Sequence, residues 1–110
     1  MVFLTDIAPI ATISEPVRNV QQAVGTSSIL IAEVRLSTAP RRDILVRNIS
    51  AGVSVITVNL GMQQAAANTG IILNPGESFS FSTEQTNPCP QCQFTAISSD
   101  ASGLVSIMER

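Results

Sequence analysis

The chain contains no histidine, tyrosine, tryptophan or lysine. Without imidazole, every catalytic arrangement that needs a histidine base is excluded, and the commonest metal ligand is missing. Aromatic bulk comes from four phenylalanines alone, Phe3, Phe79, Phe81 and Phe94. Charge is sparse at 13%, with a net of −2, and all six basic residues are arginine. An acidic balance with scattered arginines argues against binding nucleic acid through its phosphates. No apolar run approaches the roughly 20 residues that span a bilayer. The opening stretch MVFLTDIAPIATISEP lacks a basic leader, and Asp6 and Pro9 interrupt its apolar run. It does not read as a signal peptide, so the chain is expected to be made and kept in a cytoplasm, or built into something assembled there.

What the chain has is β-branched apolar residue. At 110 residues and 45% apolar it can hold one core without metals or disulfides. The stretch Arg41 to Ser82 organises it: two β-branched runs flank Ser50-Ala51-Gly52, and a Pro75-Gly76 turn leads into Ser78-Phe79-Ser80-Phe81-Ser82. Period-two alternation of that kind marks a strand with one buried face. Strands are predicted over 28–37, 42–49, 53–60, 71–73, 77–83, 92–98 and 104–109. In the first, Leu30, Ala32, Val34 and Leu36 are expected to share the apolar face. Asn74-Pro75-Gly76-Glu77 fits a type II turn. Short strands at this spacing predict an all-β fold, a single small β-sandwich, jelly-roll-like, of seven or eight antiparallel strands.

Residues 1–27 are expected to form an N-terminal arm, and 28–110 the sandwich. The arm carries Phe3, Leu4, Ile7 and Ile10, too much apolar surface to leave in water. Two readings fit: an edge strand added to its own domain, or an arm lying on another subunit. A short helix over 17–24 is also compatible with the spacing of Val17, Val20 and Val24.

Little here can carry chemistry. Cys89-Pro90-Gln91-Cys92 has redox-motif spacing, but it runs into a strand rather than the helix that lowers a thiol's pKa. Zinc would need a second chain to complete four ligands. The plain reading is a loop whose thiols are free or form a local bridge. Carboxylates are scattered, and no phosphate-cradling glycine motif occurs. Asn48-Ile49-Ser50 matches a glycosylation sequon by chance. Arg41, Arg42 and Arg47 form the basic patch. They either blunt a strand edge in solvent or pair with carboxylates of an adjoining subunit. No catalytic, metal-binding or cofactor-binding residue is assigned, and the chain does not read as an enzyme.

The pattern from Arg41 onward resembles small β-sandwich proteins of tailed-phage virions. The residues that carry it are Arg42-Asp43-Ile44-Leu45-Val46-Arg47-Asn48, the valine-rich 53–60, Leu73-Asn74-Pro75-Gly76-Glu77, Ala96-Ile97-Ser98 and Gly103-Leu104-Val105-Ser106-Ile107. The resemblance implies a capsid decoration or cement protein on the virion surface, made in the host cytoplasm. Such a protein is a homo-oligomer, expected to be a trimer, bound to the major capsid protein or another virion protein, without nucleic acid or membrane. The candidate contacts are Phe3, Leu4, Ile7, Ile10, Arg41, Arg42 and Arg47. The alternative is a carbohydrate- or receptor-binding module of a phage tail or fibre, which the lack of Trp and Tyr disfavours.

Overall fold

Inward-facing positions recur every second residue along most of the chain, and each such run becomes a strand. The computed structural model describes residues 18–36, 39–61, 64–83 and 89–110. They form eight strands: β1 Arg18–Val24, β2 Ile29–Ala32, β3 Asp43–Asn48, β4 Ile56–Leu60, β5 Ile71–Leu73, β6 Ser78–Ser82, β7 Phe94–Ser98 and β8 Gly103–Glu109. Two four-stranded antiparallel sheets result, ordered β1-β8-β3-β6 and β2-β7-β4-β5. The first strand pairs with the last, the second with the seventh, the third with the sixth and the fourth with the fifth. That nested pairing is a jelly roll. Among the described residues no helix is long and apolar enough to cross a membrane.

The core lies between the sheets. Ile44, Val46, Val105 and Ile107 face inward from the first sheet; Ile56, Val58, Leu73, Phe94 and Ala96 face them from the second. Phe79 of β6 stacks across the gap on Phe94 of β7, with ring centroids 6.2 Å apart, and Phe81 meets Phe94 edge-on at 6.3 Å. These offset and perpendicular arrangements suit the ring quadrupoles. The predicted turn forms: Gly76 takes φ +89° and the Glu77 N–H donates to the Asn74 carbonyl at 2.9 Å.

Of the readings open for the N-terminal segment, residues 18–24 take that of an edge strand on their own domain, not a helix, in register with β8 from Arg18–Glu109 to Val24–Gly103. The arm boundary at residue 27 therefore falls too late, and Phe3, Leu4, Ile7 and Ile10 lie outside the described residues. The first predicted strand shortens to Ile29–Ala32, and a register shift between Leu30 and Ala32 turns Ile31 into the core. Leu30, Val34 and Leu36 end up 47%, 61% and 70% exposed. A β-bulge adds one residue on one strand, which breaks the period-two assignment beyond it.

The two outer faces differ. The 64–70 loop folds over the second sheet: Ala65 N–H donates to Ser28 Oγ at 2.9 Å and Asn68 N–H to Thr57 Oγ1 at 3.2 Å, leaving Thr57 buried. Gly70 permits this approach, since a Cβ there would sit 2.5 Å from the Val58 carbonyl oxygen. Over the first sheet, Leu45 and Met108 occupy neighbouring outer positions of β3 and β8.

Candidate functional site

Strand phase carries two polar residues into the interior. In β8 the inward series Val105, Ile107 continues to Glu109; in β3 the series Ile44, Val46 continues to Asn48. Each sits near one end of the core, and each is satisfied there.

Glu109 is 3% exposed and meets Arg41, which is fully buried, with Arg41 Nε 2.6 Å from Glu109 Oε2. The Arg41 guanidinium also donates from Nη1 to the carbonyls of Pro90 (2.6 Å) and Cys92 (3.1 Å), and from Nη2 to that of Glu33 (2.6 Å). Its carbon lies 5.1 Å from the Phe94 ring centroid, a cation–π contact at the floor of the site. Gln91 closes the loop: its Oε1 accepts from Arg41 N–H, and its Nε2 donates to the carbonyls of Arg41 and Cys89. Two further arginines reach Glu109 Oε1, Arg18 at 3.1 Å and Arg35 at 3.3 Å, both partly exposed. Arg18 also donates to the Ile31 carbonyl and so ties β1 to β2.

Burial alone would raise the Glu109 carboxyl. The Arg41 hydrogen bond and the charges of Arg41, Arg35 and Arg18 outweigh it and hold the group below its ordinary value. A carboxylate so held stays ionised at neutral pH and does not shuttle protons there. Cys89 and Cys92 are free thiols, Cys89 buried and Cys92 half-buried. Desolvation pushes the Cys89 thiol up despite the pull of Arg41, so at neutral pH it is the protonated, weakly nucleophilic form. Among the described residues no group of three or more Cys, Asp or Glu side chains could hold a metal.

Arg41 is thus no surface contact. The sequence offers it as half of an exposed Arg41-Arg42 pair, but the fold buries it completely, because only a guanidinium inside can both neutralise Glu109 and bind three carbonyls. Arg42 and Arg47 are exposed. The Glu109 cluster is the part that sequence reasoning misses.

At the other end, Asn48 Nδ2 donates to the carbonyls of Ser54 and Leu73, each at 2.9 Å, and its Oδ1 accepts from Ser50 N–H at 3.0 Å. Fully buried and bonded, this asparagine is no glycan acceptor. Ser54 Oγ donates to Asp100 at 2.6 Å; that bond and the Ser102 N–H hold the Asp100 carboxyl below its ordinary value.

Beside the arginine cluster lies a cleft of about 330 Å³ between the β1 and β2 edges, lined by Arg18, Arg35, Glu109 and the segment 30–34. Leu30 and Val34 give it an apolar wall. The fold and site together define a jelly-roll sandwich plugged at both ends by buried polar clusters, with a cationic, apolar-walled cleft at one edge. No protein-family model, curated protein sequence or solved structure matches the chain.

Proposed function

We propose that the protein is a non-catalytic structural component of a virion, a decoration or cement protein that binds the outer capsid surface and bridges capsomers. One observation carries this reading. Leu30 and Val34, 47% and 61% exposed, line one cleft together with Arg18 and Arg35, and Leu36, two residues on from Val34, is 70% exposed. Apolar side chains clustered in this way on a folded surface mark a place where another macromolecule sits. The jelly roll is a frequent scaffold among viral capsid domains, an analogy of fold that supports the reading without proving it.

The mechanism needs only buried area. A stable, specific interface buries about 1,600 Å² in total. A protein that spreads such contacts across a seam between capsomers opposes their separation. A homotrimer at three-fold positions would present three equivalent edges to the major capsid protein. The phenylalanines at 79, 81 and 94 pack on one another. Phe94 is fully buried and Phe79 and Phe81 are half-buried against it, so no phenylalanine among the described residues stands out as a flat, exposed platform for sugar stacking.

The test is direct. Particles purified from the source of this sequence are expected to contain the chain in fixed ratio to the major capsid protein, as read by quantitative mass spectrometry. Particles stripped of it should release their genome at a lower temperature, and adding the recombinant chain should restore the original value. Absence of the chain from purified particles overturns the proposal.

A further inference from the structure

Among the described residues the two sheets have four outer strands, β1 and β6 in one and β2 and β5 in the other. An outer strand offers backbone N–H and C=O groups to any other chain, and folded proteins blunt such edges with brevity, bulges or charge. Three of the four are blunted in this way. β5 is three residues long, β2 carries the register shift between Leu30 and Ala32, and β1 opens on Arg18, whose guanidinium crosses to the Ile31 carbonyl. β6 has none of these devices. Ser78–Ser82 runs in unbroken register with β3, without charge, proline or bulge. Thr83 N–H donates to the Arg42 carbonyl and Asn48 N–H to that of Glu77, so the odd-numbered residues turn their backbone groups toward β3. Alternation along the ladder points the N–H and C=O of Ser78 and Ser80 the other way. Among the described residues no strand meets them there.

We infer that β6 is the pairing edge for β6 of a second copy of the chain, antiparallel about a two-fold axis through Ser80. The strand suits itself as a partner because Ser78-Phe79-Ser80-Phe81-Ser82 reads the same in both directions. With Ser80 on the axis, Ser78 lies opposite Ser82 of the second copy and Phe79 opposite Phe81. Serine then meets serine on the outer face. On the inner face each half-buried phenylalanine gains a second one beside it, and aromatic pairs across strands are favourable. The flanking charges agree. Thr83, bonded to Arg42, comes opposite Glu77 of the second copy, which sets exposed Arg42 and exposed Glu77 two strand spacings apart, about 10 Å. Asp43 likewise shares a row with Arg47 of the second copy. None of these rows joins like charges. The product is one eight-stranded sheet across two copies, an isologous contact. It joins copies in pairs, whether single chains or trimers, and does not depend on the virion reading.

The experiment reads the solution mass of the full chain by light scattering over a range of concentrations. The parent is expected to contain an even number of chains. Ser80→Lys and Ser80→Asp each set a charge against its own copy on the axis, so each variant alone should show half the parent mass. Both should keep the parent's circular dichroism, since Ser80 is exposed. Mixed in equal amounts, the two should return to the parent mass, because lysine then faces aspartate. A parent with one chain or any odd number overturns the inference. So does a parent mass retained by both variants, or a mixture that stays at half. Particle content is not read here. A chain that is found on virions and keeps its mass in both variants loses the β6 contact alone, and a chain absent from virions whose mass halves loses the virion reading alone.

Discussion

Arg41 and Glu109, 68 residues apart in sequence, meet inside the protein at 2.6 Å with almost no exposure to solvent. A buried pair of this kind is a weak source of net stability but a costly one to break, because the survivor keeps its desolvation penalty. Arg41→Met is therefore expected to destabilise the fold by about 3 kcal/mol, toward the low end of the usual range because Arg18 and Arg35 remain beside Glu109. Arg41→Lys should recover little, since an ammonium cannot reproduce the fork that reaches Glu33, Pro90 and Cys92 at once. Urea denaturation followed by far-ultraviolet circular dichroism measures both. An Arg41→Met protein as stable as the parent would remove the pair's structural role.

Acid should act through the same group. The Glu109 and Asp43 carboxyls both sit below their ordinary values, Asp43 chiefly through its hydrogen bond with Ser82 and then its pairing with Arg110. A carboxyl whose folded pKa is depressed contributes stability that is complete above its unfolded pKa and is lost as pH falls through the folded one. The loss should begin near the ordinary glutamate value of 4.5 and continue below it. Glu109→Gln should flatten that acid limb. Stability measured against pH in the parent and the variant decides it, and parallel curves would count against the assignment.

Asn48 offers a second test. Its amide satisfies two buried carbonyls and one buried N–H. Asn48→Leu should cost about 3 kcal/mol, because unpaired buried polar groups cost roughly 1–3 kcal/mol each. Asn48→Asp should be no better at neutral pH, since a carboxylate would face the Ser54 and Leu73 carbonyls.

Two glycines should respond in opposite ways to alanine. A Cβ on Gly103 would lie 2.5 Å from the Val24 carbonyl oxygen and 2.6 Å from Ser98 Oγ, wedging β8 away from its neighbours. Gly52 has nothing within 4 Å and no positive φ. Gly103→Ala should lower the thermal midpoint markedly. Gly52→Ala should leave it unchanged or raise stability by about 0.4–1 kcal/mol through the unfolded chain.

The thiols should differ in rate. Iodoacetamide is expected to modify half-buried Cys92 well before buried Cys89, and both equally once the chain is unfolded. Peptide mapping at timed quenches reads the order.

Alternation made most of the sandwich legible. Ser78-Phe79-Ser80-Phe81-Ser82 and the Pro75-Gly76 turn declare themselves in the sequence, and the structure follows them. The first sheet's edge was obscured because Arg18, Gln21 and Gln22 carry no β signature, and β1 exists by virtue of pairing with β8. Alternation fails beyond Leu30 because the register shift there has no local mark in the sequence. Arg41 reads as surface charge, since nothing near it names its partner. A signal did exist on the other side: continuing the period of Val105 and Ile107 puts Glu109 on the buried face, where a carboxylate demands a cation. The same extension from Ile44 and Val46 points to Asn48.

Arg18 opposite Glu109 also means that the described chain enters and leaves the barrel-like stack at one corner. Anything fused after Arg110 is therefore delivered next to the arginine cleft. Affinity tags, dyes or fused cargo at that end would crowd this cleft, whereas the open bend around Gly52 gives a site for such attachments that leaves it clear.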